Sequence, residues 1–586
     1  MKLSRLLALL LVALILMLFT LITGCRQQAS QSSQTSDSSG KSSTTTTTPS
    51  TSGSTQQPKE EKKEIKTYTA FVNDPNVLSG NEWDTPIGKK ITELTGVRLI
   101  VDRPVGADTR QKAGVLIASG DYPDIIWTGE ASGEFLAAKA LIPLDDLIEK
   151  YGENIKKSYR PSELNLLRQQ YGVIYILGTV RAGESNLYPY AGFYIANDVL
   201  EKQGWPVVKT LSQFKEVIRN YVKENPTYDG QPVIGFSLST EGGRVSSLQY
   251  GCPRYLAGYP NDGVTIIDPE TLEAKVVLTQ DFNIEYLKFM NEFWKEGLLD
   301  KEIFMQTNEQ YHAKISTGRL ISYYDQRWSI QNALNALEQA GITDRYPVAF
   351  PVVFDDVKIE NYRGPRTYNT TNGMGISVKC KDPEGVMQFL DMMVSDEITT
   401  LVNWGIEGVD YSVKPDGTYY RTPEQWANTL NSEYAQNQGL NRFIYVPMKE
   451  GSSDPVYGKL ANGNWVSPTM ADDYYEYEYN DTEKEILKAY GISTFCDFFM
   501  PSYMAKYEAG WALRSKLPSD HPGKIAIERA LEMSTQYITD IIMSKTEDEF
   551  WSIWNKYQEE LSKLDLKTYE DAITELVRDG AKYYQN

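Results

Sequence analysis

Thr67-Tyr68-Thr69-Ala70-Phe71-Val72, Val97-Arg98-Leu99-Ile100-Val101 and Pro123-Asp124-Ile125-Ile126-Trp127 are the three runs whose reading decides the fold. Each is short, apolar and rich in β-branched or aromatic residues, as a buried strand requires. Between the first and second, Ile87, Ile91 and Leu94 fall on one face of a helix that Gly96 ends. Between the second and third, a helix runs roughly from Gln111 to Ala118 and stops at Gly120. This strand–helix–strand–helix–strand rhythm predicts an α/β fold with parallel strands. Further along, Thr210-Leu211-Ser212-Gln213 has capping-box spacing, and Leu211, Phe214, Ile218, Tyr221 and Val222 form the apolar face of the helix it opens. Another helix carries Tyr286, Phe289, Met290 and Phe293 and closes at Gly297. From about Lys524 the chain reads as helices rich in Trp, Tyr, Glu and Lys, and no internal repeat is evident.

Upstream of the first strand the sequence is of a different kind. Lys2 and Arg5 precede an unbroken apolar stretch from Leu6 to Phe19, followed by Leu21-Ile22-Thr23-Gly24-Cys25. Charged start, apolar middle and small residues at the end make a secretory signal peptide over residues 1–24. The stretch is short for an uncleaved anchor, which needs about 20 apolar residues. The cysteine after Gly24 resembles the lipobox of bacterial lipoproteins, which implies cleavage before Cys25 and a lipid-held protein on the extracellular face of the cytoplasmic membrane. Residues 25–66 then form a Ser/Thr-rich linker ending in a Lys/Glu run, too poor in apolar side chains to order itself.

The net charge of −19, or −21 once Lys2 and Arg5 are removed, argues against nucleic acid and against broad adhesion to anionic lipid. After Cys25 only Cys252, Cys380 and Cys496 remain, without metal-ligand spacing, and they read as buried thiols, with one bridge left open. The only histidines, His312 and His521, sit in no catalytic or zinc motif. No metal and no cofactor is expected. The acidic run from Ala471 to Glu478 lacks EF-hand spacing and reads as a solvated face.

Several runs, in order, carry a resemblance: Ala118-Ser119-Gly120-Asp121-Tyr122-Pro123-Asp124-Ile125-Ile126, Tyr171 to Leu177, Gly192 to Trp205, Gly373 to Val378 leading into Asp382-Pro383-Glu384, and Asn403-Trp404-Gly405-Ile406-Glu407-Gly408. Over about residues 67–410 they resemble the extracellular solute-binding proteins of ATP-driven (ABC) importers, in the maltose-binding-like, carbohydrate-directed class and its Gram-positive lipoprotein branch. The resemblance implies a two-lobed, periplasmic-binding-protein-like type II fold with discontinuous lobes, a hinge and an interlobe cleft. On this reading residues 67–188 plus about 371–402 form the first lobe, and residues 189–370 plus about 403–586 the second. Crossings are placed near Tyr188-Pro189-Tyr190, Tyr368 to Gly373, and Leu401 to Gly408. The implied protein is a monomer that carries an oligosaccharide to a membrane permease and performs no chemistry.

Sugars are held by aromatic rings against their C–H faces and by carboxylates, amides or guanidinium groups on their hydroxyls, in sites with few polar groups on an apolar lining. In open α/β sheets such sites lie beyond strand carboxyl ends. Trp83, Trp127, Trp328 and Trp404 stand in loops or at strand ends, with Asp84, Asp325, Arg327 and Glu407 beside them and Arg181 at the cleft edge. Core packing is the competing reading for each tryptophan, and Trp294, Trp551 and Trp554, within helices, are assigned to it. A secreted glycoside hydrolase or polysaccharide lyase also fits the composition, although no carboxylate pair stands out among 78 acidic residues. A surface sensor or adhesion lipoprotein of the same fold is a third reading.

Overall fold

The computed structural model describes residues 65–73, 80–104, 109–169, 172–178, 187–366, 372–451, 456–471 and 473–584. Cys25, the linker to residue 64 and Arg181 lie outside the described residues.

The three opening runs form the expected parallel core. Strands β1 (Lys66–Val72), β2 (Val97–Asp102) and β3 (Ile125–Trp127) pair in parallel, with Tyr68 opposite Leu99 and Val72 opposite Trp127. Helix α1 (Pro86–Thr95) links β1 to β2: the Thr85 hydroxyl accepts the Gly88 N–H, Pro86 occupies the first turn, and Gly96 closes the helix at φ 68°. Helix α2 (Thr109–Ser119) links β2 to β3. Two later strands complete the sheet in the order β2-β1-β3-β8-β4, where β4 is Leu177–Gly178 and β8, antiparallel to its neighbours, is Gly373–Ile376.

Between β4 and β8 the chain builds a second sheet, β6-β5-β7. Its centre is β5 (Ala191–Ala196), flanked antiparallel by β6 (Ser322–Gln326) and β7 (Pro347–Phe350). Around it lie α3 (Leu211–Glu224), which has the complete Thr210/Gln213 capping box, α4 (Phe282–Glu296), α5 (Asn308–Ser316) and α6 (Arg327–Gln339). Phe193, Phe214, Phe236, Phe289 and Phe293 stack edge-on and face-on as one aromatic core, the geometry that ring quadrupoles favour.

Each sheet organises its own hydrophobic cluster. The first-sheet cluster includes helices α7 (Pro383–Met393) and α8 (Asp396–Asn403), and continues through Leu440, Phe443, Tyr445 and Val446. Residues from about 403 were expected in the second lobe. They pack on the first sheet because Trp83 is fully buried there: Phe443 meets its ring edge-on at 5.4 Å and the Tyr445 hydroxyl accepts its indole N–H at 2.9 Å. The chain rejoins the second cluster through the half-buried Tyr474 and the buried Tyr479. There α9 (Gly510–Lys516), α10 (Pro522–Met543), α11 (Glu547–Ser562) and α12 (Leu566–Tyr584) pack beside α4, with Trp554 buried and Trp294 and Trp551 half-buried against the same core. These helices also touch the first lobe, through Lys524 on Glu134 at 3.2 Å and Gln169 on the Leu576 carbonyl at 3.2 Å.

Cys252 and Cys496 are buried thiols, Cys380 is half-buried, and none forms a disulfide. Among the described residues no helix is long and apolar enough to cross a membrane, and no three His, Cys, Asp or Glu side chains gather as a metal site. Within the acidic run, Asp473 is committed to the Trp426 indole N–H at 3.1 Å.

Candidate functional site

The chain passes between lobes at the ends of particular strands, and those ends carry the polar and aromatic groups that the cores leave over. In the first lobe the passages flank β4 and the start of β8. The Thr128 N–H and hydroxyl both reach the Gly373 carbonyl, at 3.0 and 3.2 Å. Asn73, at the carboxyl end of β1, donates its N–H to the Trp127 carbonyl at 3.2 Å and its side-chain amide to the Thr128 carbonyl at 3.1 Å. Its Oδ1 is buried with no partner among the described residues. A buried acceptor of that kind is costly unless something completes it. Gly129 follows at φ 52°, where an added Cβ would stand 2.6 Å from the Asn73 carbonyl oxygen.

In the second lobe the passage ends at Tyr190, immediately before β5. The Arg327 N–H donates to the Tyr190 carbonyl at 3.0 Å, so the start of β5 and the end of β6 present Tyr190, Asp325, Arg327 and Trp328 together. Trp328 is 57% exposed and Tyr190 46% exposed, among the most exposed large rings of the molecule. Arg244 lies across the Trp328 face, its guanidinium carbon 4.5 Å from the ring centroid. The same guanidinium stands 3.9 Å from Asp325, which is 3% exposed. Burial pushes the Asp325 carboxyl above its ordinary range, and the Gln326 N–H and Arg244 oppose that shift. Its Oδ2 is buried with no hydrogen-bond partner among the described residues, and Tyr311 and Ser329 further oppose the upward shift. His312, half-buried nearby, is held below its usual value first by burial and then by Arg244, which keeps the imidazole neutral. Arg244 itself comes from a turn, Gly242–Arg244, that leads into a π-helical turn, Ser247–Gly251. Such turns are infrequent and often mark functional sites.

An open aromatic face, a guanidinium resting on it, a dehydrated carboxylate and a second exposed ring at one strand end make a surface for binding a polyhydroxylated ligand. Residues 76–400 match the family of bacterial extracellular solute-binding proteins. The chain belongs to that family. A fructooligosaccharide ABC transporter substrate-binding protein, FusA of Streptococcus pneumoniae, is 26% identical over 325 residues, 52% of this chain and 56% of that protein. Thus the match spans little more than half the length of this curated relative. Lipoprotein LipO of Bacillus subtilis is 23% identical over 387 residues, 62% of this chain and 71% of that protein. The solved structure of S. pneumoniae FusA in complex with kestose superposes with a TM-score of 0.61 at 19% identity, covering 89% of this chain and 99% of that one. Its likeness establishes the two-lobed fold of the solute-binding proteins for this chain.

Of the nine residues expected at the site, Arg181 lies outside the described residues, and the other eight part company within this solute-binding fold. Arg244 brings together Asp325, which is 3% exposed, and Trp328, which is 57% exposed. Arg327 stands beside them but is turned inward: it lies 4.0 Å from the Tyr188 ring centroid and meets Glu483 at 3.5 Å and the Tyr346 hydroxyl at 3.3 Å. It joins β6 to the helix Asp481–Tyr490, and its charge is spent on that joint. Trp127 is buried between β1 and β8, with its ring mostly in the first core. Trp83 is wholly in that core and offers no face to a ligand. Asp84 is exposed and paired with Arg98 at 2.7 Å. Trp404 is buried, its indole N–H given to the Trp465 carbonyl at 2.9 Å, and Glu407 is exposed at the tip of the following turn.

The Trp-Gly-Ile-Glu-Gly loop therefore works as a structural knot. Asp410, fully buried, accepts the Ile406 N–H at 2.7 Å, the Tyr434 hydroxyl at 2.8 Å and the Gln438 amide at 2.7 Å. Gly405 is required at φ 94°, since a Cβ there would meet Asp410 at 2.4 Å. Arg421 ties the Asp410 and Trp404 carbonyls from behind, and burial lowers its guanidinium to about 10. Sequence reasoning missed Asn73 and Arg244 and took Tyr190 only as a crossing. Signals existed in the Pro-Tyr that precedes β5 and in the Gly-Gly-Arg turn, but neither names a partner by itself.

Proposed function

We propose that this chain is the substrate-binding lipoprotein of an ABC importer, that it captures an oligosaccharide between its lobes, and that it delivers the sugar to the membrane permease. The observation that carries the reading is the Trp328–Arg244–Asp325–Tyr190 cluster at the strand ends beside the lobe crossing. Trp328 and Tyr190 supply C–H platforms. Arg244 and Asp325 supply a donor and an acceptor for hydroxyls, and Asn73 Oδ1 offers a further acceptor from the first lobe. Family membership and the fructooligosaccharide-binding relative support a sugar ligand. Contacts from both lobes to one ligand favour the closed state by population shift.

The protein acts as a monomeric carrier without catalysis and without a bound metal. Cys25 carries the lipid after cleavage at Gly24, a reading supported by the lipobox-like sequence and by the lipoprotein relative. One lobe comprises β1 to β4 and β8 to Val446, the other β5 to β7 and the chain from Tyr479. Calorimetric titration with kestose, maltotriose and cellotriose tests the binding: one of these or a longer homologue binds with unit stoichiometry and without release of new reducing ends. Sustained turnover would replace the carrier by a glycosidase, and absence of binding to all neutral oligosaccharides would remove the reading. Replacement of Cys25 by Ser releases the protein into the medium with ligand affinity intact.

A further inference from the structure

Residues 404–473 form a second aromatic groove on the first lobe, of about 430 Å3, wholly beyond the span 76–400 that carries the family match. Two turns build it. The first joins β9 (Ser412–Val413) to β10 (Tyr419–Tyr420) and closes with the Lys414 N–H on the Thr418 carbonyl at 2.9 Å, with Gly417 at φ 89°. The second closes with the Leu460 N–H on the Asn464 carbonyl at 2.8 Å, with Gly463 at φ 87°. Asn464, buried between them, cross-links the two: its Oδ1 accepts the Tyr419 N–H at 2.8 Å and its Nδ2 donates to the Gly417 carbonyl at 3.0 Å. The Trp404 indole fixes the far wall through the Trp465 carbonyl at 2.9 Å. The groove is thus rigid before any ligand arrives.

Tyr419, Tyr420 and Trp465 are only half-buried along it. Lysines lie over the rings of Trp465 and Tyr420, Lys459 at 4.4 Å and Lys414 at 5.6 Å from the ring centroids. A solvated ammonium on a ring face is readily exchanged for another partner. Asn462, exposed at the rim, donates one amide hydrogen to the Tyr419 hydroxyl at 2.8 Å, while its Oδ1 accepts the Asn464 N–H at 3.1 Å. Lys414 and Asp416 share the rim, and the second lining carboxylate, Asp473, accepts the Trp426 indole N–H at 3.1 Å, so the lining carries only a small negative excess. The volume lies in the range of small-molecule sites, about 300–1,000 Å3.

We propose that this groove is a second carbohydrate site, separate from the interlobe site, that holds one or two neutral sugar residues of a glycan. Trp465 and Tyr420 cover the C–H faces, and Asn462 with Asp416 bonds the hydroxyls. Aromatic faces interleaved with amides and nearly balanced charge suit a neutral polyol better than an anion or an apolar peptide. The site does not depend on the interlobe reading, because no residue is shared between them.

Saturation-transfer NMR on the full chain, with maltotriose, cellotriose, kestose and tri-N-acetylchitotriose as probes, tests it. Trp328→Ala removes the interlobe platform, and in that background at least one probe still binds. Adding Trp465→Ala, or Tyr420→Ala, weakens that binding tenfold or more, while Trp465→Phe restores most of it. Melting curves show which variants are folded; Trp465→Phe and Asn462→Ala remain readable should Trp465→Ala unfold. If all probes bind the folded groove variants as they bind the Trp328→Ala protein, or if none binds that protein at all, the proposal falls. Failure of the interlobe reading shows separately, as wild-type binding untouched by Trp328→Ala. Loss of uptake in Trp465→Ala cells without any sugar binding would reassign the groove to a protein partner and overturn the carbohydrate site.

Discussion

Trp328 and Trp404 are marked by the same signals in the sequence: each is a tryptophan in a charged loop just past a regular element. In the structure they are opposites. Trp328 stands with 57% of its surface exposed, and the Arg244 guanidinium lies across its ring. Trp404 is 1% exposed, its N–H is consumed by a backbone carbonyl, and its loop closes on the buried Asp410. The difference teaches that a tryptophan of this kind keeps an open face only where the chain leaves most of its ring outside the core. Where a buried carboxylate and an arginine are available to close the loop, the ring becomes part of the fold.

The largest effect should come from the closed member of the pair. Trp404→Ala opens a cavity under the Asp410 knot and lowers stability by about 3–5 kcal/mol, measured by urea unfolding. Oligosaccharide affinity of the remaining folded protein at the interlobe site should be unchanged. A folded variant with full stability would make Trp404 a surface residue like Trp328 and break the contrast.

How far these outcomes were legible beforehand follows from the kind of information each needs. The α/β core was readable because apolar periodicity and the Gly96 and Thr210 caps are local. The type II fold was readable because ordered runs from Ala118 to Gly408 carry it. The packing of the chain beyond 403 on the first sheet was not readable, since it depends on Phe443 and Tyr445 reaching back some 360 residues to Trp83. The same holds for Arg327, whose partner Glu483 is far along the chain, and for Arg244, which becomes a site candidate only when it meets Trp328. Local spacing cannot express such pairings.

A second test uses a carboxyl that the second lobe has consumed. Asp262 is fully dehydrated, accepts the Gly510 N–H at 3.0 Å and anchors α9; burial raises its carboxyl from the ordinary 3.8 to about 6. Because the folded value is the higher one, the neutral form is favoured by folding. The stabilising contribution is complete below about pH 4 and is lost as pH rises through about 6, a change of roughly 3 kcal/mol. Urea midpoints measured between pH 4 and 7 should flatten over this window in Asp262→Asn. An unchanged profile would mean that Asp262 is as hydrated as a surface carboxylate.

The open member of the pair should show the reverse of Trp404. Trp328→Ala leaves the melting temperature nearly unchanged, since an exposed ring outside the core shifts stability by only about 0.5 kcal/mol. It weakens oligosaccharide binding by at least about 2 kcal/mol, or about 30-fold, as expected for an aromatic hot spot. Arg244→Ala should weaken binding less if the guanidinium only rests on the ring until the sugar arrives, and comparably if it also bonds a hydroxyl. Titration calorimetry on the two variants separates these cases.

The smallest effect is expected at Glu407, and it bears on the comparison most directly. Glu407 shares the Trp404 loop and was a sugar-binding candidate for that reason, yet its side chain is exposed and the loop is closed by Asp410. Glu407→Gln removes one solvated charge and no buried bond, so stability and interlobe affinity should both stay within about 0.5 kcal/mol of the parent. Asp410→Asn, three residues on, keeps one acceptor but turns the other toward the Ile406 N–H or the Gln438 amide as a donor, and should destabilise the loop. If Glu407→Gln were to abolish oligosaccharide binding while Asp410→Asn did not destabilise the fold, the loop would be a ligand-reading element after all, and Trp404 and Trp328 would belong to one site.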